Sequence, residues 1–260
     1  MSALPNRAMR ILEVDIETAP HKVYAWGLYD QDIAINQIVE PGYTLCWSAK
    51  WHGSRELMFD SVWHSGKRRM IQRIYKLLTE ADAIVHYNGL KFDIPTLNQE
   101  FLQIGLKPPP PSDQIDLYQT AKRRFRFASN KLDYVAKQLG LGRKLPHKGM
   151  DLWAGCMNGN KADQRTMERY NRQDVRLLER VYVELLPWIK GHPNHGIYLG
   201  RAAVCPNCGG HNMRSNGWRY THVAVYRRLI CSGCGAPSRS YAAEKRVRGD
   251  GTTIKVLRAA

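Results

Sequence analysis

Four cysteines in the last quarter of the chain constrain its fold more than any other feature. They form two C-x-x-C pairs, Cys205 with Cys208 and Cys231 with Cys234. A glycine follows each pair, where a tight turn needs one. Four thiolates at this spacing suit tetrahedral Zn²⁺, whereas a redox dithiol or an accidental pairing is the alternative. The sequence therefore predicts a small domain, at 202–260, that one structural zinc ion holds together.

The segment between the two pairs has β-prone residues after a predicted turn at 215–217, and the domain resembles a zinc ribbon. Basic and aromatic side chains are interspersed along it, which is typical of surfaces that bind phosphates and stack on bases. We expect nucleic-acid contacts at Trp218, Arg219, Arg227 and Arg228, and a basic tail after them. A solvated basic surface that docks on the rest of the chain or on another protein is the alternative.

The net charge of the chain is +16, and it is unevenly distributed. Residues 201–260 contain 11 Lys and Arg but only Glu244 and Asp250 as acidic residues, a net charge of +9. This excess favours an anionic polymer as partner, with nucleic acid before an anionic membrane. No apolar run approaches the roughly 18 residues of a membrane span, and no secretory signal is visible. We therefore expect a cytoplasmic protein that is not secreted and not bound to a membrane.

The part of the chain before the cysteines has the pattern of alternating strands and helices. Apolar and acidic side chains alternate in the first segment with the period of a strand, and later segments have the period of amphipathic helices. Strands are predicted at 10–18, 43–51 and 56–63, and helices at 67–80 and 162–187. This order predicts an α/β domain over 1–190, with a mixed β-sheet flanked by helices. Residues 191–201 are predicted to be a linker.

Acidic side chains occur at three separate places in this first domain. Asp15 and Glu17 lie two apart on the first strand and therefore project from one face, roughly 7 Å apart. Asp93 follows a predicted strand, and Asp174 lies on the apolar stripe of the long helix, four residues after Tyr170. A buried carboxylate is costly unless it is paired or binds a metal. The alternatives are a solvated strand face, a helix N-cap at Asp93, and a Lys or Arg that pairs with Asp174.

Three segments together resemble the exonuclease motifs of the DEDD superfamily: 15–18 (DIET), 87–95 (YNGLKFDIP) and 170–174 (YNRQD). The resemblance covers about residues 8–190 and implies an RNase H-like fold that removes nucleotides from 3′ ends. Tyr170 resembles the DEDDy branch, which includes the proofreading domains of family-B DNA polymerases. Three further segments are similar, more loosely, to stand-alone polymerase-B-like exonucleases of phages and bacteria: the insertion that contains VYAWGLYD, the helix KLDYVAKQLGLG and the later segment HKGMDLW.

The resemblance implies a metal-dependent 3′–5′ exonuclease that hydrolyses phosphodiester bonds by a two-metal mechanism. Two Mg²⁺ or Mn²⁺ ions, which prefer oxygen ligands, would be bound by four carboxylates. These are Asp15, Glu17, Asp93 and Asp174. Tyr170 would orient the attacking water rather than act as a base, because an ordinary tyrosine has a pKa near 10. Asn88 and Phe92 would hold the terminal nucleotide, although Phe92 suits a core position equally well.

The expected substrate is single-stranded DNA with a free 3′ end, in a bacterial or phage-infected cell. A polymerase or another replication or repair protein is an expected partner. Two other functions stay open: an RNA exonuclease or structure-specific endonuclease on the same fold, and a non-catalytic nucleic-acid-binding module. The chemistry avoids the 2′-hydroxyl, so the motifs do not separate DNA from RNA. The complete set of four carboxylates and a tyrosine weighs against the non-catalytic module.

Overall fold

The computed structural model describes residues 6–201 and 203–244. They belong to two compact units, one from Arg10 to Tyr182 and the other formed by Met1–Met9 and Val183–Ala260. The basic tail that the sequence predicts at the C-terminal end lies outside the described residues. In the described part of the chain, no helix combines the length and the hydrophobicity needed to cross a bilayer.

A mixed five-stranded sheet forms the centre of the Arg10–Tyr182 unit. The strands of this unit, in chain order, are β1 (Ile11–Thr18), β2 (Lys22–Val23), β3 (Ile38–Glu40), β4 (Thr44–Trp51), β5 (Leu57–Ser61), β6 (Ala83–His86) and β7 (Asp113–Asp116). The order in the sheet is β5-β4-β1-β6-β7, and β2 pairs with β3 in a separate ribbon. Strand β4 is antiparallel to both of its neighbours, β5 and β1, whereas β6 and β7 run parallel to β1. This sheet confirms the predicted α/β class.

Helices cover both faces of the sheet. They are α1 (Lys67–Glu80), α2 (Asp93–Gln103), α3 (Leu117–Arg124), α4 (Leu132–Gln138), α5 (Met150–Met157) and α6 (Lys161–Leu185). On one face, apolar side chains of β1 and β4 pack against α1 and α2, with Leu12, Trp47 and Phe101 among the buried residues. Burial of a side chain of this size contributes about 1.5–3 kcal/mol, so this face is the main core of the unit.

The alternation of β1 determines where its acidic residues lie. Leu12, Val14 and Ile16 belong to the apolar core beneath α1 and α2. Because successive strand residues point to opposite faces, Asp15 and Glu17 project from the other face, which packs against α6. A hydrogen bond from Asn171 of α6 to Asp15 shows this packing. The strand predicted from periodicity thus carries the core on one side and the acidic residues on the other.

The second unit contains a short helix and a small antiparallel sheet. After a 3₁₀ helix at Leu186–Trp188, its elements are α7 (His195–Leu199), β8 (Met213–Tyr220), β9 (Val225–Cys231) and β10 (Pro237–Arg239). The sheet order is β10-β9-β8. The segment predicted as a linker, 191–201, therefore contains a helix, which begins after Asn194, whose side chain accepts the Gly196 N–H at 2.8 Å. The limits of the domains stay predictions.

The turn predicted at 215–217 is wrong. Strand β8 continues through these residues, and its register with β9 shifts between Ser215 and Trp218. Gly217 has a φ of +77° within this bulge, so the glycine serves a bulge and not a turn. The chain reverses later, where the Thr221 hydroxyl donates to the Ala224 carbonyl at 2.9 Å. Serine, asparagine and glycine favour both structures, which explains the error.

Candidate active site

Three carboxylates converge where β1 faces α6. One ligand oxygen from each of Asp15, Glu17 and Asp174 lies within 4.8 Å of the other two. Asp174 is fully buried, whereas Asp15 and Glu17 are half-buried. The two residues of β1 share a face, and Asp174 reaches them from the core-facing side of α6. The structure therefore brings together acidic residues that are more than 150 positions apart in sequence.

Asp93 lies beside this group as the first residue of α2. Its Oδ1 accepts a hydrogen bond from the backbone N–H of Ile16 at 3.2 Å, which joins the start of α2 to β1. The N-cap position of α2 belongs to Phe92, so a capping role does not account for Asp93. Its charge contributes to raising the pKa of Asp15. All four predicted carboxylates thus lie in one region, with Asp93 outside the closest three.

Burial and mutual repulsion raise the pKa values of these acids. Burial, followed by the charges of Asp174 and Asp93, raises the pKa of Asp15 well above its ordinary range. Burial and Asp174 raise the pKa of Glu17 to about 8. Burial also raises the pKa of Asp93 to about 6, although backbone N–H groups oppose the shift. A site that holds protons so tightly has an excess of negative charge, and a bound cation would relieve it.

Lys144 brings a positive charge into this site. Its Nζ lies 2.7 Å from Asp174 Oδ2 and 3.1 Å from the hydroxyl of Tyr170. Burial by itself would lower the pKa of Lys144, but Asp174 and Asp15 raise it above the ordinary lysine value, so the side chain is charged. A basic partner for Asp174, the alternative weighed from the sequence, is therefore present. Lys144 lies in the loop between α4 and α5, where no periodic pattern or motif points to it.

Tyr170 lies next to Asp174 on α6 and packs in an aromatic group. Its ring centroid is 5.1 Å from that of His147 and 6.3 Å from that of Trp153. Burial and the charge of Asp174 raise the pKa of Tyr170 to about 12, so its hydroxyl is neutral at neutral pH. Trp153 also forms a hydrogen bond with Glu17. A neutral hydroxyl in this position suits the orientation of a water better than proton abstraction.

Asn171 is a second residue that no motif rule identified. Its Nδ2 donates to Asp15 Oδ2 at 2.7 Å, and its side chain is fully buried. This hydrogen bond fixes the orientation of the Asp15 carboxylate. The signal that could have identified Asn171 is its place in α6, three residues before Asp174, which puts it on the same helix face.

Asn88 and Phe92 lie on the turn between β6 and α2, just before Asp93. Asn88 has a left-handed φ of +65°, and its N–H donates to Asp116 Oδ1 at 2.9 Å. A Cβ at Gly89 would lie 2.5 Å from the His86 ring, so the turn requires glycine there. Phe92 is 46% exposed. The core position considered for Phe92 is therefore wrong, and its ring is accessible to a ligand.

The four cysteines of the second unit form a separate group of candidate metal ligands. Their sulfur atoms lie within 4.8 Å of one another, with 3.6 Å between Cys205 and Cys234 and 3.7 Å between Cys208 and Cys231. Burial would raise the pKa of Cys231, but the backbone N–H groups of Cys234 and Gly233 lower it to about 7. Four sulfur atoms so arranged fit a tetrahedral Zn²⁺, as the spacing predicts.

The four residues expected to contact nucleic acid lie on one antiparallel pair of strands. Trp218 and Arg219 belong to β8, Arg227 and Arg228 belong to β9, and all four are exposed. The guanidinium of Arg227 lies over the Trp218 ring, 5.3 Å from its centroid. The surface is therefore accessible, and its contact with nucleic acid stays a prediction.

Known proteins share the fold of this chain. The model of the RNase H superfamily matches residues 48–186. A family B DNA polymerase from the hyperthermophilic archaeon Pyrobaculum calidifontis superposes with a TM-score of 0.55 at 19% sequence identity. The match covers 84% of this chain and 32% of the polymerase chain, so this chain spans about a third of that protein. No curated protein sequence matches the chain. The superfamily match and the shared fold support a nuclease.

Proposed function

Because the chain belongs to the RNase H superfamily, we propose that it is a 3′–5′ exonuclease with an active site formed by four carboxylates. The convergence of Asp15, Glu17 and Asp174 within 4.8 Å carries this proposal. Asp93, held by the backbone of β1, completes the set. The fold shared with part of a family B DNA polymerase agrees with the motif resemblance.

The carboxylate group fits divalent cations in three respects. Its ligand atoms are oxygens, which Mg²⁺ and Mn²⁺ prefer. Its acids have raised pKa values because they are buried and, after that, because their negative charges repel one another. Asp174 Oδ1 is buried and has no hydrogen-bond partner among the described residues. When bound, the cations supply the charge that activates a water and stabilises the departing 3′-oxygen.

The side chains around the carboxylates hold the reacting groups in place. Tyr170, neutral at neutral pH, donates its hydroxyl hydrogen bond to Asp174 and orients the attacking water. Asn171 fixes Asp15, and Trp153 fixes Glu17. Positioning of this kind contributes to catalysis because the reacting atoms need no further ordering in the transition state. Burial raises the pKa of Asp174, and the charge of Lys144, 2.7 Å away, opposes this rise and neutralises part of the negative charge.

The substrate of this proposal is a nucleic acid with a single-stranded 3′ end, with DNA favoured. The exposed ring of Phe92 would stack on the terminal base, and the turn at Asn88 would contact its sugar. The four-cysteine domain would hold one structural Zn²⁺ and add a second contact through the basic and aromatic side chains of β8 and β9. A polymerase or another replication or repair protein is the proposed protein partner.

A time course with matched end-labelled strands tests the function. Single-stranded DNA and RNA of one sequence are labelled at the 5′ or the 3′ end and incubated with Mg²⁺, Mn²⁺ or EDTA. The 5′-labelled strand should shorten stepwise and the 3′-labelled strand should release mononucleotide at once, with no reaction in EDTA. The Asp15→Asn variant, which keeps the size of the side chain, serves as the inactive control.

Other outcomes separate the alternatives. Faster loss of RNA than of DNA would make the protein an RNA exonuclease. Internal fragments from both labels would indicate an endonuclease. Tight binding without cleavage under every metal condition would indicate a non-catalytic module and would overturn the proposal.

A further inference from the structure

The ribbon formed by β2 and β3 exposes three aromatic side chains to solvent. Its connecting segment, residues 24–37, is here named the aromatic loop. The side chains of Tyr24, Trp26 and Tyr29 in this loop are 75%, 98% and 83% exposed. Soluble proteins seldom leave several large apolar side chains together in water unless something binds there. The aromatic loop is therefore a candidate binding surface outside the carboxylate group.

Hydrogen bonds hold the aromatic loop in a defined shape. The Gln37 side chain accepts the Ala34 N–H at 2.8 Å and donates to the Tyr24 carbonyl at 2.9 Å. The Tyr24 N–H donates in turn to the Gln37 carbonyl at 2.9 Å. This glutamine ties the two ends of the loop together. A loop with fixed ends loses less conformational entropy when it binds a partner.

A groove lies between the end of β1 and the base of the loop. Thr18, His21 and Phe92 are among the residues that line it, so it extends from the residue after Glu17 to the residue before β2. At this point His21 Nδ1 accepts the Gly42 N–H at 3.0 Å, which ties the two sides of the ribbon together. A strand whose last nucleotide lies at Phe92 can follow this groove toward the aromatic loop.

A strand in this region would contact the aromatic loop through its bases, because the loop has no cation that could hold phosphates. The sequence has no Lys or Arg between Lys22 and Lys50, and the loop itself contains Asp30 and Asp32. Phosphate contacts need cations, whereas aromatic rings stack on any base. We propose that the aromatic loop is a stacking platform for the bases of single-stranded nucleic acid, upstream of its 3′ end. This inference rests on the proposed function and identifies where that site holds its substrate.

Binding measurements on full-length variants test the platform without relying on catalysis. Fluorescence anisotropy would measure the affinity for a labelled single-stranded oligothymidine in protein that also carries Asp15→Asn. In this background Trp26→Ala is compared with Trp26→Phe, which keeps an aromatic ring. Leu28→Ala is the matched control, because Leu28 lies in the same loop, is 92% exposed and has no ring. Both side chains are exposed, so their substitution leaves the core unchanged.

Stacking predicts a specific pattern. Trp26→Ala should weaken binding about 5- to 150-fold, the change that about 1–3 kcal/mol per stacked base produces. Trp26→Phe and Leu28→Ala should bind within about twofold of the parent. The slope of affinity against salt concentration should stay unchanged, since no phosphate contact is lost. An oligonucleotide with abasic sites a few positions from its 3′ end has no bases to stack there. Its affinity for the parent should therefore be as low as the affinity of intact DNA for Trp26→Ala.

Three results would overturn the stacking platform. Unchanged affinity in Trp26→Ala would show that the loop does not contact nucleic acid and leave it as a surface for a protein partner. An equal loss in Leu28→Ala would indicate a general apolar contact. Unchanged binding of the abasic strand would exclude stacking. In all three cases a wild-type protein, without Asp15→Asn, that still shortens 3′ ends would preserve the proposed function, whereas a wild-type protein without nuclease activity would remove that proposal separately.

Discussion

The carboxylate site and the four-cysteine site gather like charges in two different settings. The carboxylates border a large core, in which apolar side chains of β1 and β4 pack on α1 and α2. Lys144 already pairs with Asp174 there at 2.7 Å. Among the described residues, the apolar cluster at the four cysteines contains Cys205, Cys231 and Ala236, and Cys208, Met213 and Cys234 pack against it. The core and Lys144 support the first site without a metal, whereas the second has little besides its metal.

This difference indicates that a metal would have a different role at each site. A cation among Asp15, Glu17 and Asp174 would bind to a fold that exists without it and would supply chemistry. A zinc ion among the cysteines would supply the stability that a core otherwise provides, because metal binding and folding are coupled in such small domains. Removal of metal from the carboxylates should therefore stop the reaction, and removal of metal from the cysteines should unfold the four-cysteine domain.

The largest effect is expected from Asp174→Asn. Loss of one carboxylate from the closest three removes several kcal/mol of charge stabilisation, so the rate of 3′-end hydrolysis should fall at least about 1,000-fold. The control is Asp163→Asn, since Asp163 is also a buried acid on α6 but pairs with Lys148 at 3.0 Å. Rates on 5′-labelled DNA measure both variants. Equal losses in the two would show that α6 needs its acids for folding and not for reaction.

The next effect concerns the four-cysteine domain. Cys208→Ser, or treatment with a zinc chelator, should abolish the bound zinc and make residues 203–244 sensitive to protease, since structural zinc contributes about 10–16 kcal/mol in comparable peptides. The unit Arg10–Tyr182 should resist protease as before. Metal analysis and mass spectrometry of the fragments measure both results. Cys156→Ala, outside the set, should keep one zinc ion per chain. A protease-resistant domain without zinc would contradict the comparison.

The smallest effect is expected from Glu17→Gln, which should increase the thermal stability of the metal-free protein. Glu17 has a pKa of about 8 in the folded, metal-free protein, above the ordinary glutamate value. The folded state thus binds this proton more tightly, and its stability should fall as pH rises from about 4.5 to about 8. Glu17→Gln should reduce this dependence, of which Asp15 and Asp93 keep a part, and raise the melting temperature at pH 8 by roughly 2–4 °C, which about 1 kcal/mol produces in a domain of this size.

Calorimetry in EDTA from pH 5 to pH 9 measures this effect, and Glu56→Gln, an exposed change, is the control. Added Mg²⁺ should stabilise the parent more at pH 8 than at pH 5, because the ligands must lose their protons before they bind. A Glu17→Gln variant that is less stable than the parent at pH 8 would show that the carboxylates do not repel one another.

The fold was largely predictable because its signals are local. Period-two alternation identified β1, and the apolar stripe over 67–80 matches α1 (Lys67–Glu80). Both patterns come directly from which faces are buried. The helix α7 within 191–201 was not predicted, since five residues give no periodic signal. The bulge at Gly217 was taken for a turn because both need a positive φ, and only the pairing of β8 with β9 distinguishes them.

The site residues that belong to a sequence motif were predictable. The residues that reach the site only through the tertiary fold were not. Asp15, Glu17 and Asp174 belong to recognisable segments, and the structure places them together. Lys144 lies 30 residues before Asp174 in a loop, so their contact depends on how that loop packs. Asn171 could have been predicted only from its position on the helix face that carries Asp174. Contacts of this kind are tertiary and leave no periodicity in the sequence.

The most direct test of the account is the position of a bound cation. Crystals of the zinc-loaded protein, soaked in Mn²⁺ and measured at the manganese absorption edge, would show it by anomalous scattering. The account predicts a manganese peak among Asp15, Glu17 and Asp174, distinct from the zinc at the cysteines, and no such peak in the Asp174→Asn variant. Crystals with no manganese at these carboxylates, in a protein that still shortens 3′ ends, would contradict it.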